Sequence, residues 1–388
     1  MEPRANRGAP GRVGHPERGF PCVHVAGTNG KGSTCAFVAA ELRARGLRVG
    51  LYTSPHLVSV TERMAVNGQR ITEDSFVMWT DRLRPHIERL EASFFEATTA
   101  IAFADFAARG VDVAVIEVGL GGRLDSTNVI TPLASVVTKI ALEHTDYLGP
   151  DLASIAREKA GIAKPGVPFV TGEQDQRVRE VLVSEAKQRG AEPIILADTR
   201  RPVPGGVTLG LKGPHQRGNA WVALAALNAL PAPFGLWGDA IPPSFADAAV
   251  AGRFDVRGRW IFDVAHNPDG IAVLVEALRE LRPRRPLHAL VGIRNDKEWR
   301  PMLDLLLAAA DRVVLTVAPT VPSGQRWIAE DLGGWTNDRV IGQPVVFEPD
   351  FARALELVQE GAATTLVTGS FHTVGDALAA LPGFAPVG

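Results

Sequence analysis

Residues 25 to 34 read Val-Ala-Gly-Thr-Asn-Gly-Lys-Gly-Ser-Thr, a dense mix of glycine, hydroxyl and amide around one lysine. Backbone N–H groups in such a loop and at a following helix N-terminus can point at an anion, and Lys31 adds a full positive charge. A β-branched lead (Val23-His24-Val25) and a helix-compatible exit (Cys35 to Arg45, closed by Gly46) give the strand–loop–helix order that a phosphate cradle needs. The spacing departs from G-x-x-x-x-G-K-[ST], because Val25 stands six positions before Lys31, where that pattern has its first glycine.

Further polar stations follow expected strands, where α/β folds gather ligands. Thr53-Ser54-Pro55-His56-Leu57 offers a hydroxyl for Mg²⁺ or a turn and helix cap. Glu117 ends an almost wholly apolar run, so its carboxylate must find a partner or a metal; Gly119, Gly121 and Gly122 then permit close backbone approach or a bulge. Glu143-His144-Thr145-Asp146 follows another strand and reads as a ligand or a satisfied structural histidine. Arg157-Glu158-Lys159-Ala160-Gly161 lies within a helix and, on residue types alone, is a solvated charged face. Asp263-Val264-Ala265-His266-Asn267-Pro268 ends a strand and opens a helix, either facing a cleft between domains or capping that helix.

The elements that must carry these residues alternate. Short Val/Ile-rich runs (Arg48 to Tyr52, Val111 to Val118, Leu133 to Ile140, Pro168 to Thr171) are separated by helix-like ones such as Ala97 to Arg109, Asp151 to Ala163 and Ala220 to Leu230. After Gly252-Arg253 the alternation resumes: strands Trp260 to Val264, Leu287 to Val291, Arg312 to Val317 and Thr364 to Thr368, helices Ile271 to Leu281 and Pro301 to Ala310. This predicts an α/β chain of two domains: a mostly parallel sheet over 1–250 with a P-loop-type turn, then a smaller Rossmann-like α/β domain over 251–388. Residues 1 to 20, rich in Gly, Pro and Arg, are expected to carry little ordered structure.

At 388 residues, with 46% hydrophobic and 22% charged residues, the chain has the composition of a globular protein with a sizeable core. A net charge of −2 gives no general attraction to nucleic acid or to an anionic membrane, so any anion site must be local. Cys22 and Cys35 lack metal or C-x-x-C spacing and read as small buried hydrophobes in a reducing compartment. Without an apolar run of about 20 residues or an apolar leader, the expected address is the cytoplasm.

Taken together, the chain from about residue 22 to 380 resembles the folylpolyglutamate synthase/dihydrofolate synthase family of the Mur ligase superfamily. The marks are Gly27-Thr28-Asn29-Gly30-Lys31-Gly32-Ser33, Thr53 to His56, Glu117 to Arg123, Glu158 to Ile162, His215-Gln216 with Asn219, Asp263 to Pro268, Asp296-Lys297 and Thr368-Gly369-Ser370. The resemblance implies an ATP-dependent, ADP-forming ligase that joins L-glutamate to dihydropteroate or to folates through an acyl phosphate. It implies ATP on Asn29, Gly30, Lys31, Gly32, Ser33, Thr34, Asn219, Arg253 and Asp263, and catalytic roles for Lys31, Lys159 and His266. Ser54, Glu117 and His144 would hold Mg²⁺, with a second ion at Lys159 if that lysine is carbamylated. Phe94, Phe95, Glu96, Leu124, Asp125 and Ser126 would line the pteroate side. The implied partners are small molecules acting on a monomer, not nucleic acid or membrane. Two departures stand out: a short segment before the phosphate loop, implying a truncated chain or an altered pterin pocket, and Glu143 where the family usually has Asp. The rival readings are a Mur-type peptidoglycan precursor ligase, a nucleotide-binding protein without ligase activity, and a degenerate paralogue.

Overall fold

A computed structural model describes residues 14–327 and 345–384. The strands are β1 (Cys22–Ala26), β2 (Val49–Tyr52), β3 (Met64–Val66), β4 (Gln69–Arg70), β5 (Val113–Glu117), β6 (Ala134–Val137), β7 (Phe169–Thr171), β8 (Ile194–Leu196), β9 (Asp255–Arg257), β10 (Trp260–Asp263), β11 (Leu287–Val291), β12 (Arg312–Leu315), β13 (Val345–Phe347) and β14 (Thr364–Thr368). The helices are α1 (Lys31–Ala44), α2 (Glu73–Leu90), α3 (Phe94–Ala108), α4 (Thr145–Leu148), α5 (Leu152–Ala160), α6 (Gln176–Gln188), α7 (Pro214–Ala229), α8 (Pro268–Leu281), α9 (Trp299–Ala309), α10 (Phe351–Gln359) and α11 (Phe371–Ala380).

They form two mostly parallel sheets, as the alternation predicts. The first runs β4-β3-β2-β5-β1-β6-β7-β8, antiparallel only where β3 and β4 extend its edge; the second runs β13-β12-β11-β14-β10-β9, antiparallel only at β9. In the first, β1 lies between β5 and β6 with Val25 beside Glu117 and Ala26 beside Val137. That register brings the phosphate loop, Glu117 and the segment after β6 to one edge. In the second, Asp263 pairs with Thr368, and Thr368 with Val291.

Both faces of the first sheet are covered, so its central strands β1, β5 and β6 are buried throughout and mostly apolar. Helix α1 is buried from Gly32 to Leu42 and packs on α7; Phe37 stacks on Phe245 with ring centres 4.8 Å apart. On the other face α3 supplies Phe103 and Phe106, which meet Phe20 edge-on at 6.0 and 5.9 Å. The second sheet buries Trp260, Phe262, Ile261 and Leu290 between α8, α9 and α10–α11. Cys22 and Cys35 are free and buried, as expected of small hydrophobes, and burial pushes the Cys22 thiol up to about 12.

Two expectations need correction, and one helix falls where none is expected. Pro16–Arg18 form a 3₁₀ turn and Phe20 seals the core, so order begins before residue 20; residues 1–13 lie outside the described residues. Helix α2 gives no clear pattern in the sequence because Pro85 and many charges interrupt it; it buries only Trp79 and Leu83, one turn apart. The segment around Lys159 is not a solvated face, since Lys159 is 4% exposed and only its neighbours Arg157 and Glu158 remain outside.

His24, in the middle of β1, is fully buried, and its Nε2 lies 2.8 Å from Thr127 Oγ1. Burial, helped by the Lys164 charge, lowers its pKa from 6.5 to about 3. The folded chain therefore binds this proton more weakly than the unfolded chain, and stability present above pH 6.5 is lost as pH falls from there toward 3. In urea titrations between pH 7 and 4, His24→Gln should reduce the pH slope of unfolding free energy by up to about one proton. An unchanged slope would remove His24 from this role.

Candidate active site

The loop between β1 and α1 is held open by its backbone. Gly27 and Gly30 have φ of +144° and +91°; a Cβ on Gly27 would collide with Thr138 Oγ1, and one on Gly30 with Asn219 Oδ1. The extension of β6 pins the loop from below. Thr28 and Asn29 both donate backbone N–H to Lys139 O (2.8 and 3.4 Å), and Thr138 Oγ1 donates to Asn29 O at 2.8 Å. Gly30 is the N-cap of α1 and has no side chain to spend on the first-turn N–H groups, which leaves them for an anion. Lys31 Nζ rests on Thr28 O at 3.1 Å, Ser33 is buried at the same turn, and the buried hydroxyl of Thr34 has no hydrogen-bond partner.

Beneath the loop lies Glu117, 2% exposed, with Oε2 accepting the Ser54 N–H at 3.2 Å. Gly32 sits against the same carboxylate. Burial raises the Glu117 pKa; the charges of Lys31 and Arg253, the Ser54 hydrogen bond and Arg63 oppose the rise. Lys159 reaches in from α5 and donates to Gly27 O at 2.9 Å. Burial, with the nearby Lys31 charge, lowers its pKa from 10.5 to about 7. A lysine so placed is substantially neutral at ordinary pH, and a neutral amine is a nucleophile.

The β10–α8 junction closes over this edge from the second sheet. His266 Nδ1 lies 2.8 Å from Val264 O and its Nε2 2.7 Å from Glu143 Oε1, so satisfying both contacts takes a proton on each nitrogen. Burial would raise the Glu143 carboxyl, but the His266 hydrogen bond and the charges of His266 and Lys31 hold it well below the usual carboxylate range. His144, in left-handed backbone (φ +51°), has Nε2 3.6 Å from Glu143 Oε1; burial lowers it to about 4 and keeps the ring neutral. Asp269 takes Asn29 Nδ2 at 2.7 Å and pairs with Lys139. Arg253 lies over the Phe371 ring at 5.2 Å, and that ring stands 5.4 Å from His266. Asn219 donates to Gln216 Oε1 at 2.9 Å, and Gln216 Nε2 lies 3.0 Å from His215 Nε2. Asp263 differs from the cleft-facing reading: it is buried, and its oxygens accept the N–H groups of Phe254 (2.8 Å) and Ala265 (2.9 Å). Its carboxylate shapes the turns on either side of the strand.

The six residues expected to line the pteroate side split. Phe94 is 60% exposed under the Arg63 guanidinium (5.2 Å), and Leu124 is 80% exposed. Phe95 leans on Tyr52 and covers Gly119. Glu96 is engaged in a capping box with Ser93, and Ser126 begins a 3₁₀ turn capped by Asp125. Asp125 accepts the N–H groups of Gly119 (3.0 Å), Leu120 (2.9 Å) and Thr127 (2.9 Å), and also the Thr127 hydroxyl. Glu96 and Asp125 thus build loops, while Phe94 and Leu124 offer surface. Arg63 is the residue the motifs miss: it is buried and donates to His56 Nδ1 at 2.9 Å, yet its segment has no pattern of its own.

Among the described residues no three His, Cys, Asp or Glu side chains gather as a metal centre. Mg²⁺ does not require one, since it takes one or two protein oxygens and fills its octahedron with water and phosphate. The buried Glu117 carboxylate and the adjacent Ser54 fit that demand, and neutral His144 keeps a lone pair free to coordinate.

Residues 25–201 match the Mur ligase middle domain, and residues 252–371 match the Mur ligase glutamate ligase domain. The dihydrofolate synthase/folylpolyglutamate synthase of Mycobacterium tuberculosis is 36% identical over 352 residues, covering 78% of this chain and 72% of that protein. The solved Mycobacterium tuberculosis folylpolyglutamate synthase complexed with ADP superposes with a TM-score of 0.84 at 33% identity, over 96% of this chain and 92% of that one. The bifunctional folylpolyglutamate synthase/dihydrofolate synthase of Yersinia pestis, complexed with AMPPNP and a Mn ion, gives 0.80 at 32% identity over 94% and 90%. With the motifs, both sheets and the loop geometry in agreement over this length, the chain belongs to the folylpolyglutamate synthase/dihydrofolate synthase family of Mur ligases.

Proposed function

We propose that this chain is an ATP-dependent, ADP-forming ligase that joins L-glutamate to dihydropteroate, to the γ-carboxylate of folates, or to both. The observation that carries the reading is the level ending of β5, β1 and β6, which puts Lys31, Glu117 and Lys159 around one point under the β10–α8 junction. The ligands carried by the solved relatives, ADP in one and AMPPNP with Mn in another, support a nucleoside triphosphate and a divalent ion here.

A carboxylate does not react with an amine until one of its oxygens becomes a good leaving group. Transfer of the γ-phosphoryl group to that oxygen gives an acyl phosphate and ADP; the glutamate α-amine then attacks the acyl carbon, phosphate leaves, and the amine loses a proton. The α1 N-terminus and Lys31 would hold the phosphates and neutralise charge as it moves. Glu117 and Ser54, with His144, would hold Mg²⁺, which would offset the negative charge of the phosphates. His266, fixed by Glu143, would bring a positive charge from the second sheet to the same edge, and closure there keeps water from the acyl phosphate. Asn219 and Arg253 border the nucleotide side, Phe94 and Leu124 the pteroate side.

Lys159 would add carbon dioxide: its neutral amine attacks CO₂ and releases one proton, leaving a carbamate anion. This turns a buried cation into a buried anion beside the loop, suited to a second divalent ion. We also read the chain as a cytoplasmic monomer divided near residue 250, in line with separate cores in its two sheets; none of the described helices is long and apolar enough to cross a membrane.

A phosphate-release assay with ATP, Mg²⁺ and glutamate, comparing dihydropteroate with tetrahydrofolate, tests the activity and separates the two acceptors. Release that needs neither acceptor nor glutamate would defeat the ligase reading. Lys31→Ala should lower turnover by about a hundredfold or more, and His266→Ala should lower it in a protein that stays folded. Turnover near wild type in either variant would remove that residue from the chemistry. Carbon-13 NMR in labelled bicarbonate at pH 8 should reveal one carbamate resonance, absent in Lys159→Arg. A wild-type spectrum without that resonance would refute the carbamate.

A further inference from the structure

The bonds that join the second sheet to the phosphate loop run in both directions. Glu143, from the first sheet, reaches His266 of the second at 2.7 Å. Asp269, from the first turn of α8, reaches back to Asn29 Nδ2 at 2.7 Å and to Lys139 Nζ. His266 and Asp269 stand three residues apart around the Asn267 cap. Their partners stand close as well, since Asn29 and Lys139 form an antiparallel bridge and Lys139 O accepts from Thr28 N and Asn29 N.

An acidic residue in a first helical turn is ordinarily a response to the helix dipole. Asp269 differs in what it touches. Asn267 already caps α8 by accepting the Gly270 N–H at 2.7 Å, and both Asp269 oxygens go to donors on the first sheet. The Lys139 pair is half exposed, and such a pair alone contributes little. Here one carboxylate holds two side chains whose backbones are already tied together, so fewer degrees of freedom are lost for each bond. On the other side of the junction the Glu143 carboxylate meets His266 at 2.7 Å.

We propose that Asp269 is a positioning residue for the nucleotide loop. It fastens Asn29 and Lys139 to the β10–α8 junction, with Glu143–His266 as the opposing strut, so that the loop and the second sheet are set against each other before nucleotide arrives. The inference rests on the reading that this loop holds the nucleotide. A loop already in its binding conformation spends less of the ligand's affinity on ordering, so releasing the clasp weakens binding more than it slows chemistry.

The test is ADP binding with Mg²⁺, measured by titration calorimetry on the full chain, alongside ligation kinetics and an unfolding midpoint for each variant. Asp269→Ala should weaken ADP about three- to tenfold and raise KM for ATP by more than it lowers kcat. Lys139→Ala should lose less, and the double variant should lose no more than Asp269→Ala alone, because both changes break one shared bond. Asp269→Asn, which keeps an acceptor for Asn29 without the charge, should fall between Asp269→Ala and wild type, and it serves if the alanine variant does not fold. ADP affinity unchanged in the Asp269 variants, or losses that add fully in the double variant, would overturn the inference while wild type still binds ADP. Wild type that takes no ADP would overturn the nucleotide reading and this inference with it.

Discussion

The site depends on one constraint: Glu117 and Lys159 are ionisable groups buried at the end of an apolar sheet, with Lys31 close by on the loop. Burial disfavours the charged form of each, and proximity changes the sign of the problem from one neighbour to the next. Lys31 helps Glu117 stay charged and makes it harder for Lys159 to stay charged. A phosphate chain on the loop would relieve Lys31, and a divalent ion would relieve Glu117, so the site is balanced only with its ligands in place. A buried arrangement with unspent charge costs stability, which is acceptable where binding restores it.

The glycines of the loop follow from the same demand. For backbone N–H groups to converge on an anion, the chain must turn through left-handed conformations right at the end of a central strand. Thr138 and Asn219 stand where side chains on Gly27 and Gly30 would go, so the space is already taken by groups that hold the loop from either side. The loop is therefore stiff without being capped, and the open N–H groups of α1 remain for the ligand.

Much of this was legible in the sequence. Strand–loop–helix order, the alternation in both halves and the polar stations at strand ends follow from local residue types, and the two sheets appear where the alternation puts them. What escaped has physical reasons. Helix α2 is amphipathic on too narrow a stripe, with Pro85 inside it, to stand out from a charged loop. Lys159 reads as a surface lysine because it follows Arg157 and Glu158, and only the packing of α5 turns it inward. Asp125 and Glu96, placed near the ligand only by the resemblance, and Asp263, placed there by its strand end, each accept nearby backbone N–H groups. Short-range capping of this kind has no signature that separates it from catalysis until the hydrogen bonds are seen.

Glu143 and His144 stand side by side after β6, with His144 in left-handed backbone and its Nε2 3.6 Å from the Glu143 carboxylate. Glu143 meets the imidazole of the second sheet, while His144 stays neutral at the edge where the metal ligands are expected. A carboxylate next to a metal ligand would ordinarily compete for the cation. Held by His266, it is neutralised by a proton donor from the other sheet and kept away from that competition. The same bond makes the position of His266 depend on the segment after β6, which also pins the phosphate loop through Lys139 O. The phosphate loop, the edge carrying His144 and the second sheet are thus coupled through a stretch of six residues, Thr138 to Glu143.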